Sequence, residues 1–123
     1  MSLFYPEESY QIIGICMEVH NQLGHGFAEI VYKDALELEF SRAGIKYQRE
    51  KEYEVVYKGI ILPHRFYADF VVFDKIILEV KGKKEICDED IAQCINYLKV
   101  SENKLAIIVN FGEAKLNSRR IVL

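Results

Sequence analysis

The sequence predicts an α/β fold of element order ααβββαβ, in which helices flank a mixed sheet made of an antiparallel meander plus a parallel strand. Three observations carry this expectation. The apolar spacing is helical up to Gly44 and alternates strand-like after it. Three strand-type segments then follow one another across short turns, as an antiparallel meander requires. Finally, a helical stretch separates them from the continuous apolar run Leu105–Asn110, which suits a strand covered on both faces and reached by a crossover.

The elements follow in order. Ile12, Ile13, Cys16, Val19, His20 and Leu23 place a helix over 9–23, with Glu7, Glu8 and Ser9 as its acidic, capping start and Gly24 and Gly26 as its stop. A second helix is expected over 28–43, burying Ile30, Val31, Ala35, Leu38 and Phe40, with Gly44 as its C-terminal stop. Strands are expected over 47–57, 60–73 and 76–81. Turns at Lys58-Gly59 and Asp74-Lys75 separate them, and Pro63 lies near the start of the second strand. After a polar break at 82–85, Asp88, Glu89 and Asp90 open a helix running to about residue 100. A short last strand is expected at 121–123.

The chain has 123 residues and half of them are hydrophobic, which fits one domain over 1–123 and disfavours disorder. Its formal net charge of -3 gives no global attraction for a polyanion, so a nucleic-acid partner needs a local basic surface. Cys16, Cys87 and Cys94 have neither the number nor the spacing of a disulfide framework or a zinc site and read as free thiols. Residues 1–8 lack a targeting pattern and no apolar run reaches the ~18 residues of a membrane span. The expectation is a cytoplasmic protein with no membrane partner.

Chemistry concentrates on two strands. Glu79 and Lys81 interrupt the apolar segment Ile76–Lys81 and share one strand face, and Asp69 interrupts a similarly apolar stretch before it. Carboxylates among such neighbours are costly unless paired or bound to a metal. A hard divalent cation explains them: magnesium takes one or two carboxylates, here Asp69 and Glu79, with the Val80 carbonyl as a further oxygen. Lys81 is placed to orient or deprotonate a water and to stabilise phosphate charge. The spacing alone is equally met by a structural acid–lysine pair on a solvated face. The cation reading also makes a geometric demand. Asp69 and Glu79 can share a face only if residues 73–75 form a three-residue turn or a bulge intervenes. A tight two-residue turn at Asp74-Lys75 puts them on opposite faces.

These residues resemble the PD-(D/E)xK nuclease superfamily. Gly26-Phe27-Ala28-Glu29-Ile30-Val31-Tyr32 resembles, within it, the signature of the GxxExxY proteins, and Gln93-Cys94-Ile95-Asn96-Tyr97 is similar to the QxxxY element of recombination-type exonucleases. The resemblance covers about residues 20–112, with Ala68 standing where the superfamily name has proline. It implies a restriction-endonuclease-like core and a Mg²⁺- or Mn²⁺-dependent nuclease that hydrolyses DNA with a metal-activated water. The other reading is an inactive nuclease-fold module that binds nucleic acid or a protein. The resemblance also implies that Glu29 joins Asp69, Glu79 and Val80 around the metal, and that Gln93 and Tyr97 brace Lys81 or bind phosphate. Read from spacing alone, Glu29 is an exposed helix residue, and Gln93 and Tyr97 lie on an ordinary packed helix face. Lys83 and Lys84, nearest the proposed metal, are the expected phosphate contacts. The basic groups at Arg42, Lys46, Arg49 and Lys51 and at Lys115, Arg119 and Arg120 read as plain solubility. With no separate DNA-grasping region, a homodimer or a larger complex is expected to complete the groove.

Overall fold

The computed structural model describes residues 4–123, so Met1 to Leu3 of the N-terminal stretch read above lie outside the described residues. The elements are α1 (Pro6–Leu23), α2 (Glu29–Ala43), β1 (Tyr47–Tyr57), β2 (Ile60–Val72), β3 (Ile76–Lys81), α3 (Asp88–Ser101), β4 (Leu105–Asn110) and β5 (Asn117–Val122). They build a five-stranded sheet in the order β1-β2-β3-β4-β5. The β1/β2, β2/β3 and β4/β5 pairs are antiparallel, and β3/β4 is the parallel pair reached through α3. This is the expected mixed sheet flanked by helices.

Three expectations need correction. Helix α1 starts at Pro6 rather than at residue 9, because Pro6 sits in the first turn, where its missing N–H is no loss. Ser9 is therefore not its cap. It is buried inside the helix, and its hydroxyl accepts a hydrogen bond from Arg120 at 2.7 Å. Helix α2 buries Tyr32, Leu36 and Phe40, whereas Ile30 and Leu38 are 53% and 50% exposed. The i, i+4 stripe begins at Tyr32, so the inward face differs from the one proposed from Ile30 and Leu38. The last strand spans six residues and not three. Its run Asn117-Ser118-Arg119-Arg120 hides the strand from a hydropathy reading, because as an edge strand it buries little.

The sheet separates two apolar layers. Ile12, Tyr32, Leu36, Phe40, Phe70, Val72, Leu78, Val80 and Phe111 pack between α1, α2 and one face of the sheet. Ala68, Val71, Ile77, Cys94, Tyr97, Leu98, Ile108 and Ile121 pack between α3 and the other. Lys58-Gly59, with φ of 50° and 77°, makes the tight β1–β2 turn. Further along, the register shifts between Glu54 and Val56, opposite Pro63, so the missing proline N–H falls at a bulge.

Candidate active site

The turn between β2 and β3 decides whether two acids can meet. Val72 pairs with Ile76, Val71 with Ile77 and Phe70 with Leu78. Phe73, Asp74 and Lys75 therefore form a three-residue turn, with Phe73 and Asp74 in the left-handed region at φ 57° and 60°. This register brings Asp69 opposite Glu79, which is the first of the two geometries that the strand-parity reasoning allows.

Beyond Phe70 and Leu78 the two strands cross-link through side chains. The Asp69 N–H donates to Glu79 Oε2 at 2.9 Å, and the Val80 N–H donates to Asp69 Oδ2 at 2.8 Å. Each carboxylate thus takes up a backbone donor of the neighbouring strand. Strand β3 meanwhile stays paired with β4 as far as Lys81 and Asn110, and β2 is paired with β1 on either side of Asp69. Both strands of the β1–β2 hairpin change sides here. Phe70 and Val72 face α1 and α2, but Phe66 and Ala68 face α3. Glu50, beside Asp69 on β1, has φ 54°, and no β1–β2 pairing is made between Arg49/Phe70 and Lys51/Ala68. Asp69 sits at this fork and meets groups from both layers.

Glu79 is 2% exposed. Burial, and then the negative charge of Asp69 within hydrogen-bond reach, push its carboxyl far above the usual carboxylate range. The Tyr97 phenol, on the α3 side, is also pushed up by burial and by Glu79. Asp69 is half-buried, and its Oδ1 accepts from the Lys33 ammonium at 3.0 Å. Lys33 lies one turn beyond Glu29 on α2 and also pairs with Glu50. Burial lowers the Lys33 pKa, but its bonds to Glu50 and Asp69 outweigh this and hold the ammonium protonated.

Lys81 donates to Gln93 Oε1 at 3.3 Å and stands 3.8 Å from Asp90 Oδ1. Gln93 is exposed rather than inward, and it still reaches the lysine across the α3–β3 gap. Glu29 is exposed and accepts the Gly82 N–H at 3.0 Å, at the end of β3. It does not join Asp69 and Glu79 in a common cluster: among the described residues no three His, Cys, Asp or Glu side chains gather around one cation position. Val80 contributes its N–H to Asp69, with its side chain in the α1–α2 layer. Lys83 donates to both oxygens of Asp90, at 3.2 and 3.0 Å, and to Cys87 Sγ at 3.3 Å, whereas Lys84 is exposed.

The Gly26–Tyr32 segment has a visible structural task. Tyr32 is fully buried and stacked on Phe111 with ring centroids 4.6 Å apart. Its hydroxyl donates to the Gly24 carbonyl at 2.7 Å and accepts from the Phe27 N–H at 3.2 Å. This ties the α1–α2 loop down beside Glu29 and Gly82, where a Cβ on Gly82 would come within 3.2 Å of Glu29. Asn110, fully buried, brackets the 82–84 loop from below. Its amide donates to the Lys83 carbonyl at 2.9 Å and its oxygen accepts the Lys83 N–H at 3.1 Å. A Cβ on Gly112 would lie 2.2 Å from the Lys83 carbonyl, so that glycine is sterically required. His20 bonds the Glu113 carbonyl at 2.9 Å and belongs to the core, not the site.

Sequence reasoning missed Lys33, Glu50, Asp90 and Asn110. For Lys33 the available signal was its i+4 spacing from Glu29 on one helix face. For Asp90 it was the third helical position after Cys87, where an acid reaches back to cap the helix.

A mixed sheet with this strand order and two acids plus a lysine at the β2–β3 fork define the restriction-endonuclease-like class. The chain belongs to the PD-(D/E)XK nuclease superfamily, whose family profile matches residues 6–121. Among solved structures it is similar to the protein designated SSO0001, with a TM-score of 0.57 and 18% identity over 76% of this chain and 50% of that one. It is also similar to an alkaline exonuclease, LHK-Exo, from Laribacter hongkongensis, with a TM-score of 0.54 and 10% identity over 98% of this chain and 72% of that one. The chain therefore spans about half the length of the first of these structures. No curated protein sequence matches it. Among the described residues no helix is long and apolar enough to cross a membrane.

Proposed function

We propose that this protein is a divalent-metal-dependent nuclease that hydrolyses phosphodiester bonds of DNA. The observation that carries the reading is the acid pair at the fork, with Glu79 buried and Asp69 half-buried. Glu79 is almost wholly out of water and faces Asp69, an arrangement stabilised by a cation. The donor set is all oxygen: two carboxylates, with the Val80 carbonyl as the proposed third. That fits magnesium or manganese, which keep several waters and take substrate phosphate as a further ligand. A cation held there would polarise a bound water and neutralise charge on the phosphate.

The chain's own residues supply the rest. Asp69 and Glu79 fix the cation's place because each is anchored to the backbone of the opposite strand. Lys81, steered by Gln93 and Asp90, presents its ammonium on the same strand face as Glu79 and is suited to hold the attacking water or to stabilise the phosphorane charge. Tyr97 closes the Glu79 side against bulk water. Glu29 is proposed to act by fixing Gly82, and so the strand end that carries Lys81. Lys84 is the proposed phosphate contact at the rim.

The test is cleavage of single- and double-stranded DNA and RNA with Mg²⁺ or Mn²⁺, beside Asp69→Ala and Lys81→Ala. Metal-dependent cleavage of DNA that disappears in both variants is the expected result. No cleavage, or cleavage that survives both substitutions, overturns it. The second reading, a non-catalytic nuclease-fold module, is favoured by one observation: a lysine ammonium already sits on Asp69.

A further inference from the structure

Lys33 poses a specific problem for any cation at the fork. Both oxygens of Asp69 are engaged, Oδ2 by the Val80 N–H and Oδ1 by the Lys33 ammonium. The Val80 donor is a backbone N–H whose position is fixed by the pairing of β3 with β4. The Lys33 bond is made by a flexible side chain and can leave. The ion pair is largely shielded, with 13% of the Lys33 side chain and 18% of the Asp69 side chain exposed, so it is stronger than a surface pair. Lys33 has a second acid, Glu50, whose side chain is 49% exposed. Glu50 stands next to Asp69 on β1, where its left-handed backbone breaks the local pairing.

We infer that Lys33 is a further functional residue of this site: its ammonium occupies Asp69 Oδ1 until a divalent cation takes that carboxylate, and Glu50 then retains the lysine at the rim. The inference rests on the metal-site reading above. A buried acid pair without a cation is unfavourable, and the Lys33 charge relieves it in the metal-free protein. A divalent cation and an ammonium repel each other strongly when they share one oxygen, so the metal-bound and lysine-bound states exclude each other. The exchange stays local because Glu50 offers a partner within reach of the same side chain, and no charge is left unpaired. The Lys33 contact on Asp69 is then compatible with a working metal site and is not by itself a sign of an inactive one.

Competition of this kind has opposite consequences for stability and for metal binding. Lys33→Met should lower the melting temperature in chelator, because the acid pair loses its counter-charge. The same variant should bind Mn²⁺ about tenfold more tightly by calorimetry, since no ammonium has to leave. Lys33→Arg, which keeps the charge, should stay within about threefold of the parent protein. Glu50→Gln removes the alternative partner and should weaken Mn²⁺ binding. The exchange can also be seen directly: in spectra of ¹⁵N-lysine-labelled protein, Mg²⁺ should shift the Lys33 Nζ resonance in the parent, with Asp69→Asn already showing the shifted position without metal.

Mn²⁺ binding by Lys33→Met that is equal to or weaker than that of the parent overturns the inference, as does a Lys33 resonance unmoved by saturating Mg²⁺. If neither the parent nor Lys33→Met binds either metal, the metal-site reading itself falls and takes the inference with it. The two failures are therefore distinct. Should Lys33→Met not fold, the Lys33 resonance in the parent protein and the weakening in Glu50→Gln still decide the matter.

Discussion

Two buried acids on either side of Lys81 show how differently one fold can treat a carboxylate. Asp90, at the start of α3, is 6% exposed, and burial alone would raise it. The Cys87 N–H at 3.0 Å and the Lys83 ammonium outweigh that burial and hold it below the usual carboxylate range. Glu79, at the fork, is 2% exposed but faces another acid, and its carboxyl is driven far upward. The difference lies in the partners: a helix N-terminus and a lysine complete one site, and the other is left short of positive charge. A carboxylate satisfied within the fold is structural. One that the fold leaves uncompensated is a candidate for function, and the proposed function gives it a cation.

The largest expected effects come from breaking this contrast. Glu79→Gln keeps the shape of the fork and removes the ligand charge, so metal-dependent cleavage should fall about 1,000-fold, the scale seen when one charge-stabilising group is removed from an active site. The same change should stabilise the metal-free protein. A carboxyl whose folded pKa is raised contributes stability below the ordinary carboxylate range and loses it as pH rises toward the folded value. In chelator, the gain of Glu79→Gln over the parent should therefore be absent near pH 4 and grow as pH rises through neutrality in urea melts. A flat difference between the two proteins would show that Glu79 already has its counter-charge.

Asp90→Ala should behave in the opposite way, with a moderate effect. It removes the reciprocal cap of α3 and leaves Lys83 and the Cys87 N–H without their acceptor, at a cost of about 2 kcal/mol. The folded pKa of Asp90 is depressed, so its contribution is present above the ordinary Asp range and is lost as pH falls through the folded value. The stability difference between parent and Asp90→Ala should accordingly shrink on acidification. Cleavage should drop only about tenfold, because Asp90 acts through the position of Lys81 and Gln93 still holds that lysine.

The sheet was legible in the sequence where the local pattern was simple. β3 and β4 are short and mostly apolar, buried throughout except at Lys81, and both bounds fell where expected. Strand parity narrowed the β2–β3 connection to a three-residue turn or a bulge, and the structure has the three-residue turn. The failures share a physical cause. On α2, periodicity found Phe40 and Ala35 but also counted Ile30 and Leu38, which stay outside, and it missed that Glu29 and Lys33 reach Gly82 and Asp69. On β5 an edge position hid the strand behind Arg119 and Arg120. The reversal of faces at Glu50 and Asp69 has no sequence signature, since neither residue is a glycine. Spacing could bring the two acids and Lys81 together, but it could not show that Lys33 comes to Asp69 from a helix 36 residues earlier.

The smallest effect separates the two adjacent lysines of the 82–84 loop, which sequence treats alike. Lys83 is held by Asp90 and Cys87, and its backbone is clasped by Asn110, whereas Lys84 is exposed. A lysine already neutralised by a carboxylate adds little attraction for a polyanion. In filter-binding titrations of DNA at rising salt, with Ca²⁺ to prevent cleavage, Lys84→Ala should weaken binding about threefold and reduce the slope of log K against log salt by about one phosphate contact. Lys83→Ala should leave that slope unchanged, because removing it frees the charge of Asp90 and shifts its effect to α3. Equal slopes for the two variants would mean that Lys83 leaves Asp90 when DNA arrives. The contrast between a satisfied and an uncompensated acid would then hold only for the unbound protein.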